Sequence, residues 1–286
     1  MIELRPYQVD AVERLRQGIR DGHRSQVLVA PTGAGKTAIA TYIMDEARKK
    51  GSRIAFVVDR VNLVDQTSAV LDSYGIPHGV IQAGHWRRRM YEPIQVCSAQ
   101  TLEKRGFFPD LSLLIVDECH AIRKETAKLI QNMPKLTVLG LTATPFTKGL
   151  SKLYTNLVNV TTTDVLTEQG FLVPLKMYAA VAPDMRGAKV VGGEWADSEI
   201  EKRGQAIIGD IVQEWQAKTL LHFGGPVKTI CFSATVDHGA ELCAQFNAAG
   251  HRFEQISYRD GSDDRRRELI AEFRKPDSQI TGLVSC

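Results

Sequence analysis

The chain has 286 residues, of which 43% are hydrophobic and 24% are charged, a composition typical of a globular protein with a sizeable core. Its apolar runs are far shorter than the roughly 20 residues that span a bilayer, and its start, MIELRPYQVD, lacks the features of a secretory signal, so we expect an intracellular, cytoplasmic protein. The formal net charge of +3 permits nucleic-acid binding without arguing for it.

Short apolar runs alternate with amphipathic stretches over residues 26–150, which is typical of a parallel sheet covered by helices. We predict strands near residues 26–30, 53–58, 78–82, 94–97, 112–117 and 136–141. We predict helices between them, near residues 36–50, 60–73, 98–104 and 120–132. The pattern indicates an α/β fold, and we assign residues 1–183 to its first domain.

The second part of the chain begins with a polar, glycine-rich stretch and a helix near 205–222, and we interpret residues 184–225 as a linker with a connecting helix. Residues 226–286 then repeat the alternation of strands and helices. The predicted strands lie in VKTICFSA, HRFEQIS and ITGLVSC, and the predicted helices near 236–249 and 263–274. About 60 residues are fewer than an open α/β domain normally needs, so we expect this second domain to be truncated.

The stretch APTGAGKT, residues 30–37, stands between a predicted strand and a predicted helix. Glycines let successive backbone amides point at one anion, and the start of the helix adds its positive dipole. The strict phosphate-binding pattern has glycine where this chain has Ala30, but the strand and helix on either side favour a phosphate cradle over a turn without a ligand. The candidate nucleotide-binding residues are Thr32, Gly33, Ala34, Gly35, Lys36 and Thr37.

The stretch LLIVDECHAI, residues 113–122, ends an apolar run in four side chains that can bind a metal or move a proton. Cys119 and His120 lack a second Cys/His pair of ligand spacing, which argues against zinc. A phosphate cradle needs an acid at the end of a neighbouring strand, so we predict that Asp117 binds Mg²⁺ and that Glu118 orients the attacking water. The alternative is that both acids only cap the next helix.

Seven blocks along the chain together resemble a known family. They resemble, in order, the motifs of superfamily 2 DExH-type helicases and translocases, most of all RadD-type and restriction-enzyme-type DNA helicases: LRPYQ (4–8), APTGAGKT (30–37), VVDRVNLVDQ (57–66), CSAQTL (97–102), VDECH (116–120), LTATP (141–145) and TICFSAT (229–235). The resemblance implies two tandem RecA-like P-loop domains with parallel sheets, the second truncated. It also implies ATP and Mg²⁺ as cofactors and a nucleic-acid partner, with DNA favoured over RNA.

The resemblance assigns roles to individual residues. Gln8 would recognise the adenine edge and Arg5 would pack near the base, although an exposed helix start is the alternative for that block. Thr142 and Thr144 would hydrogen-bond toward His120 and couple the nucleotide to the nucleic acid. The implied catalytic set is Lys36, Asp117, Glu118, His120, Thr142 and Thr144, with Thr37 and Asp117 on the magnesium.

The nucleic-acid path is assigned in the same way. The resemblance implies backbone contacts by Arg60, Gln66, Gln100 and Thr101 in the first domain and by Ser233 and Thr235, with His238, in the second. Contacts of this kind position a strand without reading its sequence. HWRRRMYE, residues 85–92, could grip phosphates and stack a base, but such a charge run is more often a solvated face.

One feature of the family is missing from the sequence. The arginine-bearing last motif does not occur before Cys286, so we expect this chain by itself to bind Mg-ATP and to hydrolyse it weakly. Three interpretations stay open beside a DNA helicase or translocase: an RNA helicase, the motor of a restriction system, and a non-catalytic, ATP-gated nucleic-acid clamp.

Overall fold

The computed structural model of the chain describes residues 2–106, 110–178, 186–191, 194–195, 199, 208–259 and 263–286. It divides into two compact units, Met1–Leu175 and Lys176–Cys286. Most of the stretch predicted as a polar loop, residues 184–204, lies outside the described residues. In the described part of the chain, no helix has both the length and the apolar character that crossing a membrane requires.

The first unit alternates strands and helices along the chain. Its helices are α1 (Pro6–Arg20), α2 (Lys36–Lys49), α3 (Val61–Ser73), α4 (Ala99–Arg105), α5 (Lys124–Asn132) and α6 (Thr163–Glu168), with a 3₁₀ turn at Leu150–Lys152. Its strands are β1 (Ser25–Val29), β2 (Ile54–Val58), β3 (Gly79–Ile81), β4 (Ile94–Ser98), β5 (Leu113–Val116), β6 (Thr137–Thr142) and β7 (Asn156–Asn159).

These seven strands form one parallel sheet in the order β3-β4-β2-β5-β6-β1-β7. Every residue of β2, β4 and β5 is buried, because helices cover both faces of the sheet. Phe56, Ile115 and Leu28 lie in the core on one face, and Val57, Leu114 and Val116 in the core on the other. The predicted α/β class with a parallel RecA-like sheet is confirmed for this unit.

Several elements of the first unit differ from the prediction, and among them α1 and α6 are not in the predicted set of helices. Helix α5 was predicted from residue 120, but it begins at Lys124 with Arg123 as its N-cap residue, because residues 117–123 form turns. Asp117 and Glu118 therefore lie outside α5 and do not cap it. Strand β7 was not predicted, since it pairs with β1 at the edge of the sheet and buries only Val158.

The second unit contains a small parallel sheet. The described elements of this unit begin with the two-residue strands β8 (Val190–Val191) and β9 (Glu194–Trp195). They continue with α7 (Ile208–Phe223), β10 (Thr229–Phe232), α8 (Val236–Ala248), β11 (Phe253–Ile256), α9 (Asp263–Arg274) and β12 (Gly282–Ser285). The three longer strands pair in the order β10-β12-β11. Helix α7, predicted as part of a linker, places Val212 in one buried cluster with Phe246 and Phe253, so it belongs to the core of this unit.

Candidate functional site

Three of the singled-out stretches follow strands that are neighbours in the sheet. Strands β5, β6 and β1 lie side by side and run parallel, so their carboxyl ends share one edge. APTGAGKT follows β1, DECH follows β5, and β6 leads into LTATP. The carboxyl edge of a parallel sheet is the usual position of ligand sites in α/β folds.

The loop between β1 and α2 needs its glycines. Gly33 and Gly35 have φ angles of 84° and 77°, in the left-handed region that side chains disfavour. A Cβ on Gly35 would lie 2.5 Å from Gln8 Nε2, and one on Gly33 would lie 2.7 Å from Leu172 Cδ2. Gly35 is also the N-cap residue of α2, and no side chain caps this helix. The amides at its start therefore have no side-chain partner, as an anion-binding helix start requires.

Lys36 and Ala30 connect this loop to the neighbouring strand. The Lys36 Nζ donates to the Ala30 carbonyl oxygen at 3.2 Å, across the mouth of the loop. The Ala30 N–H donates to the Thr142 carbonyl oxygen at 3.1 Å, which fixes the start of the loop to the end of β6. The Lys36 amine is therefore held at the start of the loop. The Thr32 and Thr37 residues of the same loop are exposed to solvent.

Gln8 lies under the phosphate loop rather than free in solvent. Its Nε2 donates to the Ala34 carbonyl oxygen at 3.0 Å, and its Oε1 accepts from the Arg5 N–H at 2.9 Å. The Tyr7 hydroxyl also donates to the Ala34 carbonyl oxygen, at 2.9 Å. Both polar atoms of the Gln8 amide have protein partners, so the predicted pairing with an adenine edge would require at least one of these bonds to be exchanged or shared.

Arg5 and Phe171 form an exposed pair beside the loop. The Arg5 guanidinium lies 4.3 Å from the centroid of the Phe171 ring, and the Tyr7 ring centroid is 5.7 Å from that of Phe171. Leu172 packs with Ala34 in a buried cluster under the loop. Phe171 and Leu172 belong to no sequence motif, because they come next to the loop only through the fold.

Asp117 and Glu118 occupy the turn directly after β5. Burial, and then the neighbouring carboxylate of Glu118, raise the pKa of Asp117, while Lys36 acts in the opposite direction. Glu118 has a φ angle of 48°, the one positive value among non-glycine residues in the described part of the chain. Left-handed backbone at a non-glycine residue costs free energy and is often found at functional sites.

Asp117 fits a magnesium ion. Two adjacent carboxylates opposed by Lys36 make a site that favours a hard cation, and Mg²⁺ takes one or two carboxylates beside substrate phosphates and water. Within the described ranges, no group of three or more His, Cys, Asp and Glu side chains could hold a metal. A magnesium site here would therefore depend on Asp117, the exposed Thr37 hydroxyl and the phosphates of the nucleotide.

His120 is connected to the end of β6. Its Nδ1 lies 2.9 Å from the buried Thr142 Oγ1 and 3.3 Å from Glu118 Oε2. Thr144 joins this group through its backbone N–H, which donates to Thr142 Oγ1 at 3.0 Å. The described bond to His120 thus comes from Thr142, and the Thr144 side chain is exposed. Thr142 also accepts from the phosphate loop through its carbonyl, so it touches both halves of the site.

Cys119 takes no part in this group. Its side chain is buried against Gly140, where a Cβ would lie 2.6 Å from the sulfur, and burial raises the pKa of its thiol to about 12. A thiol of this kind is protonated at neutral pH and packs as a small apolar side chain.

The four residues predicted along a nucleic-acid path in this unit lie near the starts of α3 and α4. Arg60 is the N-cap residue of α3, and both Arg60 and Gln66 are exposed. Gln100 is less available, since its Oε1 accepts from the Ser98 hydroxyl at 3.0 Å and its Nε2 donates to the Asp59 carbonyl oxygen. Thr101 is buried, and its N–H donates to the Ser98 hydroxyl that caps α4, at 3.4 Å.

An ion pair that the sequence analysis missed connects two of these segments. The Arg123 guanidinium donates to Asp59 Oδ1, with its Nε at 2.9 Å. Asp59 precedes α3, and Arg123 follows the DECH turn, so this ion pair joins the acidic turn to the candidate nucleic-acid edge. Asp59 and Arg123 are 64 positions apart, so no local sequence pattern predicts their contact.

The candidates in the second unit have local structural roles. Thr235 is the N-cap residue of α8 and its hydroxyl accepts from the His238 N–H at 3.1 Å. The Ser233 hydroxyl donates to the Thr235 carbonyl oxygen at 3.0 Å. Ser233 and Thr235 therefore shape the start of α8, and His238 is mostly buried.

The chain is similar to known proteins over most of its length. Residues 1–147, just over half of the chain, match the family described as type III restriction enzyme, res subunit (ResIII). A 51.5 kDa protein of Lactococcus phage (isolate 7-9) is 25% identical over 256 residues, which cover 87% of this chain and 52% of the phage protein. The type I restriction enzyme EcoAI endonuclease subunit of Escherichia coli is 26% identical over 272 residues, which cover 83% of this chain and 33% of the subunit.

A solved structure shares the fold. The ATP-dependent type ISP restriction-modification enzyme LlaBIII, bound to DNA, matches with a TM-score of 0.65 and 15% sequence identity, over 99% of this chain and 24% of that enzyme. The chain thus spans about half of the phage protein and a third of the E. coli subunit.

Proposed function

The chain belongs to the family described as type III restriction enzyme, res subunit, and we propose that it forms the ATP-hydrolysing core of a helicase or translocase that acts on DNA. One observation carries this proposal: the phosphate loop, the DECH turn and LTATP meet at one edge of the sheet, with Thr142 in contact with both of the others. Relatives of the chain are named as a restriction-enzyme subunit and as an ATP-dependent helicase, which supports ATP as the nucleotide.

In the proposed reaction, the amides at the start of α2 and the Lys36 amine bind the outer phosphates of ATP. Lys36 exchanges its bond to the Ala30 carbonyl for a phosphate oxygen when the nucleotide enters. Magnesium, held by Asp117 and Thr37, would neutralise charge on the phosphates. Glu118 would orient a water toward the terminal phosphorus and accept its proton, while the bond from that phosphorus to the bridging oxygen breaks and ADP leaves.

Coupling to the nucleic acid is proposed to run through His120. Its Nδ1 contacts Thr142, whose carbonyl fixes the phosphate loop, while Arg123 a few residues on is paired with Asp59 at the start of α3. A change at the nucleotide would reach Arg60 through these contacts. Exposed side chains and helix starts there suit backbone phosphates, so we expect little sequence preference.

DNA is favoured over RNA because two of the similar proteins are restriction enzymes by name, and restriction enzymes act on DNA. An RNA helicase is the second candidate, because a DECH box is compatible with movement on RNA as well as on DNA. Competition between DNA and RNA oligonucleotides of the same sequence separates the two: DNA should displace RNA at lower concentration.

The test of the proposed function compares three variants of this chain with the wild type. Lys36→Ala should abolish binding of a fluorescent ATP analogue, because it removes the only amine of the loop. Glu118→Gln should bind the analogue as well as the wild type does but lower hydrolysis by about 10² to 10⁴-fold. Lys50→Ala, at the other end of α2, is the matched control and should change neither.

The outcomes separate a motor from a clamp. Equal binding by the wild type and Lys36→Ala would refute the nucleotide site. Intact binding with hydrolysis that is the same in the wild type and in Glu118→Gln would instead favour the ATP-gated clamp, in which the acidic turn senses the nucleotide without hydrolysing it.

A further inference from the structure

The connection between β3 and β4, residues 82–93, has no role in the proposed function. It contains Trp86 and Tyr91, and three arginines against a single glutamate. In the sequence its arginines look alike, but the structure distinguishes them. Arg87 is held inside the fold, while Arg88 and Arg89 are exposed.

Trp86 is an exposed aromatic side chain with an ordered support. The residue is 74% exposed. Its ring lies against the His85 imidazole, with centroids 5.8 Å apart and planes at 21°, and the Arg87 guanidinium lies 4.7 Å from the indole centroid. Single exposed rings are common on protein surfaces, so the exposure of Trp86 alone does not set it apart. What distinguishes this ring is its support by His85 and Arg87.

Both supports are themselves fixed to α3. Arg87 donates to both carboxylate oxygens of Asp72, at 2.5 and 2.7 Å, and its NH1 lies 2.8 Å from His78 Nε2. His85 Nε2 lies 3.1 Å from Asp65 Oδ1. A ring that is oriented before its partner arrives loses little conformational entropy on binding.

Trp86 lies on the same side of the sheet as the candidate nucleic-acid contacts. The Val80 N–H donates to the Arg87 carbonyl oxygen at 2.9 Å, so the chain returns along β3 and Trp86 lies toward the carboxyl end of that strand. Its support Asp65 is in the second turn of α3, next to Gln66 and one turn from the exposed Arg60. The Trp86 ring therefore lies at the edge of the sheet where the phosphate contacts are proposed.

We propose that Trp86 is a stacking platform for a base of single-stranded DNA, with the exposed Arg88 beside it to contact a backbone phosphate. The proposal rests on the proposed function, because it extends the same nucleic-acid path beyond α3. Basic side chains next to an aromatic ring are the combination by which proteins hold single strands without reading sequence. The two acids bound to the supports of the ring are Asp65, which contacts His85, and Asp72, which is paired with Arg87.

The experiment measures binding of this chain to a labelled oligodeoxythymidylate and to an abasic oligonucleotide of equal length. Trp86→Ala should raise the dissociation constant for the oligodeoxythymidylate by about 5- to 150-fold, the range expected for one stacked base. On the abasic strand, which keeps the phosphates, wild type and Trp86→Ala should bind equally. Trp86→Phe keeps an aromatic face and should stay within a few-fold of the wild type on both strands.

Tyr74→Ala is the matched control. Tyr74 is an exposed aromatic residue at the C-terminal end of α3, the end opposite Arg60, and its replacement should leave binding unchanged. Equal affinity of the wild type and Trp86→Ala for the oligodeoxythymidylate would overturn the inference and leave the proposed function standing. A loss that is as large on the abasic strand would also overturn it, since stacking could not be the cause. A wild-type chain that binds neither strand would overturn both this inference and the proposed function.

Discussion

At the scale of single residues, Glu118 shows how the acidic turn is built. Its left-handed backbone turns the chain sharply after β5, so that Asp117 and Glu118 both remain at the carboxyl edge instead of continuing into a helix. A glycine would adopt this conformation without strain, but it has no carboxylate. The strain at this position therefore accompanies the chemistry assigned to the side chain.

This strain predicts that two substitutions of Glu118 differ in stability although both remove the activity. Glu118→Gly should be more stable than Glu118→Ala by about 1 kcal/mol, because alanine retains the left-handed penalty that glycine avoids. Both variants should lose hydrolysis. Urea unfolding of the two variants measures the difference, and a Glu118→Gly variant that is less stable than Glu118→Ala would contradict the role of the backbone angle.

Thr142 is the second residue on which the site depends. Replacing its buried hydroxyl in Thr142→Val keeps the size but removes the partner of His120 Nδ1 and of the Thr144 N–H. The free energy of unfolding should fall by about 1 to 3 kcal/mol, the cost of leaving buried polar groups unpaired. Nucleotide binding should survive, while stimulation of hydrolysis by DNA should fall.

The matched control for Thr142 is two residues away. Thr144→Val removes an exposed hydroxyl and keeps the backbone N–H that makes the described bond, so it should have little effect on stability. If both valine variants lost the same stability, the hydrogen bond to His120 would not be the reason.

At the scale of elements, a buried histidine joins α3 to the connection between β3 and β4. His78 Nδ1 lies 2.9 Å from the Ile76 carbonyl oxygen, so it carries the proton. Its Nε2 then accepts from the Ser68 hydroxyl at 2.7 Å and from Arg87 at 2.8 Å. Burial lowers the pKa of His78, and the Arg87 charge acts in the same direction. The neutral imidazole is the form that fits these contacts.

The lowered pKa of His78 predicts a pH dependence of stability. The unfolded chain binds the His78 proton more readily, so the stabilisation is present above the unfolded pKa of about 6.5 and is lost as the pH falls through the folded pKa. The free energy of unfolding of the wild type should therefore drop more steeply between about pH 7.5 and 5 than that of His78→Gln. Parallel urea titrations measure both slopes, and equal slopes would show that His78 does not titrate with folding.

Most elements could be predicted from hydrophobic periodicity alone, and the exceptions have local causes. The stretch DDRRRELIAEFR was predicted as a helix and forms α9 over the same residues. Helix α5 starts later than predicted because the DECH turn interrupts a pattern that otherwise looks helical. Strand β7 was missed because an edge strand buries few side chains and gives a weak alternation.

The site was predictable to the extent that it is local in sequence. Motifs made Lys36, Asp117 and Glu118 candidates because each lies in a short, characteristic stretch, and the fold brings these stretches to one edge of the sheet. Phe171 and the Arg123–Asp59 ion pair were not predictable, since only the folded sheet brings them to the same edge. The interior bonds of Gln8 could not be anticipated either, because periodicity does not tell a buried amide from an exposed one.

At the scale of the whole molecule, the phosphate loop, the DECH turn and LTATP all belong to the first unit, Met1–Leu175. The same unit contains Phe171 and Leu172, which pack beside the loop. It has its own buried core on both faces of the seven-stranded sheet. These facts indicate that the groups proposed to bind the nucleotide do not depend on the second unit for their positions.

A protein consisting of residues 1–175 should therefore unfold cooperatively and bind a fluorescent ATP analogue as tightly as the whole chain does. Its Lys36→Ala variant should not bind, which controls for unspecific association. Failure of the folded wild-type fragment to bind would show that residues beyond 175 contribute to the nucleotide site.

Ala30 has a consequence for recognising related sequences. Its backbone is not in the left-handed region, its side chain is fully buried with Ala34 and Leu166, and its N–H continues the pairing of β1 with β6. The conformations that require glycine are those of Gly33 and Gly35. A database search that insists on glycine at the first position of the loop would reject chains of this kind, whereas one anchored on the two later glycines and the lysine would retrieve them.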